Sequence, residues 1–327
     1  MNNKYIGHPT QLCGVMETRA VGGKADGMRL LSVKNGIGLD FVVSLDKCGD
    51  IPYLFFKGNS MAYVAPCGLV SPKYYDNQGV GFLKSFTAGF LTTCGLTAVG
   101  SPCFDDGEEL PLHGNISNTP CEQYSYSQDE DFIKISLSVR DASLFGQQLL
   151  LNREYLCGLK ENTLTITDTV TNESCRKTPY MIMYHCNMGY PLLSENAILK
   201  ISSCGVSPRD EHANRGIKEW NKLIPPCNDF VEQCYYHSFD KKPEISLFNP
   251  DINTELQMTF DPSSLDCFTQ WKMMGENEYV LGLEPANCYP DGRAAMREKS
   301  VLKFLEPNKS CVNKIEFSFV TKDSCDK

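Results

Sequence analysis

Hydrophobic and polar residues alternate with a two-residue period in segment after segment of this chain. Ile133, Ile135, Leu137 and Val139 are separated by Lys134, Ser136 and Ser138. Leu164-Thr-Ile-Thr-Asp-Thr-Val, Leu256-Gln-Met-Thr-Phe and Ile315-Glu-Phe-Ser-Phe repeat the pattern, and Ile37-Gly-Leu-Asp-Phe-Val-Val-Ser-Leu is an early instance. Successive side chains of a strand point to opposite faces, so the pattern predicts antiparallel strands with one face in a core and one in water. Turn-forming clusters such as Asp105-Asp-Gly and Lys160-Glu-Asn fall between the segments. Tyr180-Met-Ile-Met-Tyr184 departs from the rule: it is apolar almost throughout, which predicts burial on both faces. Helical periodicity is confined to Asp210 through Leu223, interrupted by Gly216 and ended by Pro225-Pro226. The chain shows no repeat of fixed period and no flexible linker. The reading is an all-β, mainly antiparallel protein: one large β-sandwich domain over residues 1–327, with few short helices.

Length alone suggests about two domains, but the continuous strand pattern overrides that. The composition, 42% hydrophobic and 22% charged, is ordinary for a globular chain. A net charge of −9 with no gathering of Lys and Arg argues against nucleic acid or an anionic membrane as partner. A neutral small molecule fits better. The first residues, Met1-Asn-Asn-Lys-Tyr-Ile-Gly-His-Pro, lack the apolar run of a secretion signal, and no later stretch is long enough to span a bilayer. The sixteen cysteines contain no C-x-x-C. They therefore read as reduced thiols of a cytoplasmic protein rather than a disulfide framework, a zinc ribbon or a redox motif. In that compartment the glycosylation-like Asn115-Ile-Ser, Asn172-Glu-Ser and Asn308-Lys-Ser have no role.

Candidate chemistry begins at Glu278-Tyr-Val-Leu-Gly-Leu-Glu284-Pro-Ala-Asn-Cys-Tyr-Pro-Asp-Gly-Arg293. Tyr279, Leu281 and Leu283 share one side of a strand, and Val280, Gly282 and Glu284 the other. Pro285, Pro290 and Gly292 are expected to stop it, leaving Glu284 as its last residue. Burial there lifts a carboxyl pKa towards neutrality, as a general base needs; taken alone, Glu284 is more simply a strand-end carboxylate facing water. Five histidines complete the census. His8 and His212 have no partner pattern, and His237, after Tyr235-Tyr236, reads as a packed core imidazole. His113 lies in Leu110-Pro-Leu-His-Gly-Asn-Ile-Ser-Asn-Thr, where Gly114 permits close approach or an unusual backbone angle. The surrounding neutral donors and acceptors suit sugar hydroxyls. His185 ends the apolar strand and is followed by Asn187, Gly189 and Pro191, the same layout as Glu284. Neither H-x-H nor H-E-x-x-H occurs, and neither a nucleophile elbow nor a P-loop is present, so neither metal nor nucleotide cofactor is implied. Gly36-Ile-Gly38 and Gly79-Val-Gly81 lack the third glycine of a dinucleotide fingerprint.

Taken together, Pro111-Leu-His-Gly, Tyr184-His-Cys-Asn with its Gly-Tyr-Pro-Leu-Leu tail, and Gly282-Leu-Glu-Pro-Ala-Asn-Cys-Tyr-Pro-Asp resemble the aldose 1-epimerase (galactose mutarotase-like) family. That family has, in the same order, a His-Gly loop, a second histidine at a strand end and a late glutamate. Leu302-Lys-Phe-Leu-Glu-Pro-Asn-Lys-Ser310 is similar to its L-x-P-G-[EK] segment. The resemblance covers the last two thirds of the chain in pattern and the first hundred residues only in strand character. It implies a galactose mutarotase-like sandwich that interconverts sugar anomers by ring opening and closure, without metal or nucleotide. Glu284 would be the general base and His185 the general acid, on opposite sides of the pyranose, with His113 orienting the sugar. Asn187, Gln270 and Trp271 are the further residues expected to line the site; the family's substrate-binding arginine and later aspartate have no clear counterpart, and Lys84 is the candidate replacement for the arginine. The segment around His185 departs from the Asn-His-x-Tyr-Phe-Asn-Leu of galactose-specific members, and Thr92-Thr-Cys-Gly-Leu96 looks like a less characterised branch. That leaves the sugar open; for a phosphorylated one, Arg209, Arg293 and Arg297 are the available cations. A non-catalytic carbohydrate-binding sandwich and another sugar-active enzyme, such as an epimerase or a glycosidase pairing Glu284 with Asp291, are the alternatives. The oligomeric state is open, a homodimer included.

Overall fold

Ile133, Ile135, Leu137 and Val139 all point into a core, and the polar residues between them point out, in the strand Phe132–Ala142. The computed structural model describes residues 4–322; the first three residues and Cys325, considered above, lie outside the described residues. Phe132–Ala142 belongs to an eight-stranded sheet with the order Ile198–Ile201, Glu244–Asn249, Thr254–Phe260, Ser310–Val320, Thr163–Asn172, Gln148–Gly158, Phe132–Ala142 and Cys121–Gln128. A six-stranded sheet faces it, ordered Gly205–Pro208, Gln233–Ser238, Cys267–Gly275, Glu278–Ala286, Met181–Met188 and Thr92–Leu96. A five-stranded sheet from Gly14–Arg19 to Asn59–Ser60 packs on the same core. Pairings between the strands of these sheets are antiparallel. This is the mainly antiparallel sandwich that the alternation predicts.

One apolar cluster runs from Leu31 to Phe319 and takes side chains from all three sheets. Phe260 of the larger sheet stacks on Phe268 of the smaller, with centroids 5.7 Å apart. Inside this apolar layer sits a fully buried charge network. Arg153 forks onto Asp168 at 2.8 and 2.6 Å and reaches Asp50 at 3.1 Å. Thr93 and Tyr184, from the six-stranded sheet, donate to Asp50 and Asp168 respectively. Each of the three sheets thus holds one end of the same ionic knot.

Helix is scarce. Glu211–Arg215 is capped by Asp210, whose side chain accepts from Ala213 N at 2.8 Å, and ends at Gly216; Arg293–Glu298 is the other α-helix among the described residues. No helix of the described residues is long and apolar enough to cross a membrane. The described cysteines are all free.

Candidate active site

Met181–Met188 lies between Glu278–Ala286 and Thr92–Leu96, and all eight of its residues are buried, as its apolar sequence predicts. Alternation sends Tyr184 into the sandwich, where it meets Asp168, and sends His185 to the opposite face. On that face His185 is level with Thr92 on one side and with Glu284 on the other. Glu284 pairs in turn with Thr269, and Gly282 with Trp271. Sheet register alone therefore assembles Thr92, His185, Glu284, Thr269 and Trp271 side by side.

The strand carrying Glu284 does not stop there. It continues through Pro285 to Ala286. Its ladder to Met181–Met188 joins Met183 to Ala286 and Cys186 to Leu283 but passes over the two positions between, where His185 and Glu284 stand. Pro285, which has no N–H to give, falls in that gap, so the proline is accommodated without ending the strand.

Glu284 Oε1 lies 3.2 Å from His185 Nε2. The carboxyl reaches this position by folding back over Gly282: a Cβ there would stand 2.3 Å from Glu284 Oε1 and 2.9 Å from Trp271 Cβ. Gly282→Ala is accordingly expected to push the carboxyl away from the imidazole. Displacements of about an ångström cost on the order of a hundredfold in rate, measurable in any assay of the site while circular dichroism shows the fold intact.

Buried polar atoms are normally paired. Among the described residues, the exceptions include His185 Nδ1, Asn187 Oδ1, Thr269 Oγ1 and Glu284 Oε1, four atoms gathered on this one face. Burial also sets their protonation. It pushes the His185 imidazole down to about 4, with Asn187 opposing. Burial raises the Glu284 carboxyl well above its ordinary value, reinforced by the charge of Glu232 and opposed by Arg209. Burial thus favours the uncharged form of each group, a carboxylic acid beside a neutral imidazole.

Aromatic rings wall the pair. His113, Phe86 and Trp271 have ring centroids 5.5, 5.2 and 5.4 Å from that of His185, and Phe82 backs His113 at 5.2 Å. His113 has φ +60° and Gly114 φ +71°, and a Cβ on Gly114 would meet Gly95 O at 2.4 Å. The glycine thus supplies both the close approach and the unusual angle expected of it. Gly100 N–H donates to His113 Nδ1 at 3.4 Å, which places the ring's proton on Nε2. Burial, then the neighbouring His185, drive His113 down to about 3, so it too is neutral.

A family model described as a domain of unknown function (DUF4432) matches residues 25–319. The chain belongs to the DUF4432 family. No curated protein matches the sequence. Among solved structures, the DUF4432 chain is similar to a candidate aldose 1-epimerase from Klebsiella pneumoniae, with TM-score 0.87 and 24% identity over 94% of this chain and 83% of that one. It is also similar to a galactose mutarotase-like protein from Clostridium acetobutylicum, with TM-score 0.67 and 15% identity over 95% of this chain and 100% of that one. A galactose 1-epimerase from Lactobacillus acidophilus gives TM-score 0.62 and 13% identity over 95% and 100% of the two chains. At these identities the likeness establishes the fold, which is the galactose mutarotase-like sandwich.

The DUF4432 chain brings Glu284, His185, His113 and Trp271 together. Asn187 is fully buried beneath them, donating to Gly89 O and His185 O at 3.1 and 2.9 Å. Gln270 is on the opposite face: it pairs with Leu283, bonds to the core imidazole of His237 at 3.1 Å, and donates to Trp220 O. Lys84 ends the segment that supplies Phe82, but its side chain is 72% exposed and its ammonium is paired with Asp76 at 2.7 Å. Arg293 and Arg297 are occupied by Asp105, binding the helix Arg293–Glu298 to the hairpin of Cys103–Asp105 and Glu108–Leu110. Among the described residues no group of three or more His, Cys, Asp and Glu side chains is placed to hold a metal ion.

Glu232 enters without having been assigned to the site from sequence, and Arg209, considered there only as a cation for a phosphorylated sugar, enters with it. Glu232 accepts from the Trp271 indole at 2.7 Å and from Arg209 at 2.9 Å. Both flank the irregular excursion between Pro208 and Gln233, and Arg209 N–H donates to Cys234 O, which closes its neck. No spacing rule marks such residues; only the Asp210 helix cap beside Arg209 signals where the excursion begins.

Proposed function

We propose that this DUF4432 protein is an aldose 1-epimerase-like isomerase in which Glu284 and His185 interconvert the anomers of a monosaccharide. The observation carrying this reading is their 3.2 Å contact on a buried face where four polar atoms have no hydrogen-bond partner in the protein. Ring opening needs a base for the C1 hydroxyl proton and an acid for the ring oxygen. Both oxygens are bonded to C1, so two groups standing side by side can serve both, an arrangement different from the opposite sides that the resemblance implies. Shifting the shared proton from Glu284 to His185 gives a carboxylate and an imidazolium without changing the pair's proton count. The carboxylate takes the C1 hydroxyl proton, the imidazolium protonates the ring oxygen, and the C1–ring oxygen bond breaks as the C1 carbonyl forms. Rotation about the bond from C1 to C2 and closure on the other carbonyl face reverse both transfers. His113 Nε2–H and the unoccupied N–H groups of Arg209 are the donors for sugar hydroxyls, and the Trp271 ring is a surface for the sugar's apolar face.

The glycosidase alternative needs Asp291 as second carboxylate. Asp291 is engaged by Tyr236 at 2.6 Å and Lys299 at 2.8 Å, which disfavours it in that role. The deciding experiment is anomer exchange followed by NMR saturation transfer across pentoses, hexoses, deoxy sugars and uronates. At least one sugar should exchange above background, with His185→Asn slowing it by about a hundredfold or more. Sugar binding by calorimetry with background exchange for the whole panel would instead make the protein a binding module.

A further inference from the structure

We infer that Asn187 is a positioning residue that fixes the tautomer of His185: its amide oxygen takes the Nδ1 proton and leaves the Nε2 lone pair facing Glu284. This rests on the catalytic pairing proposed above and adds a third member to it. Asn187 follows His185 by two residues, so both side chains leave the strand on the same face. Its amide nitrogen is committed to two carbonyl oxygens, Gly89 O and His185 O. Flipping the amide would set oxygen against oxygen, so Oδ1 is fixed as the acceptor end.

That oxygen is buried and unpartnered, and so is His185 Nδ1. The rings packed around His185 offer Nδ1 no acceptor. Phe86 has none, the Trp271 N–H is a donor spent on Glu232, and His113 Nδ1 already accepts from Gly100. Asn187 is the neighbour that raises the basicity of the imidazole against burial. The two atoms fall short of hydrogen-bond geometry here, as catalytic contacts often do before substrate binds. Once Nδ1 carries the proton, Nε2 is an acceptor, and its 3.2 Å contact with Glu284 becomes a donor–acceptor line whenever that carboxyl is protonated. The result is a chain, Asn187 to His185 to Glu284, in which each orphaned atom answers another.

The test is the imidazole nitrogen spectrum of protein labelled with 15N-histidine, with the His185 signals assigned by their loss in His185→Asn. The expected wild-type spectrum shows a protonated Nδ1 and an unprotonated Nε2. In Asn187→Leu, the signals should move towards the Nε2–H tautomer, and anomer exchange should slow by about tenfold to a hundredfold, the usual cost of losing an orienting partner, with sugar affinity retained. An Nε2–H tautomer in the wild type, or an unchanged tautomer in Asn187→Leu, would overturn the inference. If Asn187→Leu does not fold, the wild-type spectrum decides alone. If no sugar is exchanged by the wild type, the catalytic reading falls while the spectrum still settles the tautomer.

Discussion

Glu284→Gln is expected to lower anomer exchange by about a hundredfold to ten-thousandfold, the range of a general base, and at the same time to make the protein harder to unfold at neutral pH. The two effects have one cause. Burial raises the folded-state pKa of Glu284 well above 4.5. Between 4.5 and that raised value the folded state binds the proton more tightly than the unfolded chain. The stabilising contribution is therefore complete below 4.5 and is lost as pH rises through the folded pKa. Glutamine keeps the shape and cannot ionise, so it escapes this loss. Thermal unfolding at a series of pH values should show the variant's advantage growing with pH and vanishing below about 4.5, the ordinary carboxyl range. A variant no more stable than wild type at alkaline pH would mean that the carboxylate is better accommodated than its burial implies.

Arg153→Met is expected to cost about 3–5 kcal/mol, the largest stability loss from a single side chain here, because it removes one partner of a buried ionic network. Asp168 loses two charge-assisted hydrogen bonds and Asp50 one. Desolvation already raises the Asp50 pKa, with Arg153 the main opposing influence; without the guanidinium it rises further. The sign follows as for Glu284: carboxylates with raised folded pKa values lose their stabilising contribution as pH rises. The variant's deficit in a urea or guanidinium midpoint should be largest at neutral pH and shrink on acidification. The loss should also reach catalysis, because Thr93 and Tyr184, which the network holds, are chain neighbours of Thr92 and His185.

The sandwich was legible in the sequence because each outer-sheet strand buries one face, and Ile133 through Val139 cannot satisfy that except by alternating. The Glu284–His185 pair was legible because both stand in apolar strands shortly before residues that disturb regular backbone, although each strand runs on past them, to Ala286 and Met188. Which face of the smaller sheet forms the cleft was not. A two-residue period says that Gln270 and Trp271 point apart; it does not say which one meets Glu284, and the register to Leu283 and Gly282 decides it. Pro285 misled for a related reason: a missing N–H ends a strand only where the ladder needs that donor, and here the ladder already skips the position. Lys84 carried the right charge, but its partner Asp76 draws it outward. Arg209 and Glu232 lie at the ends of an irregular excursion, where neither periodicity nor motif reports a shared destination.

The contact between Glu284 and His185 exists before any sugar arrives, and it bears on how the reaction relates to its surroundings. Uncatalysed anomer exchange borrows protons from whatever acids and bases the solution offers. A pair that begins and finishes each cycle with a single internal proton borrows nothing. Walled by Phe86, His113 and Trp271, a pair acting as proposed would work as a closed relay, its rate independent of buffer concentration.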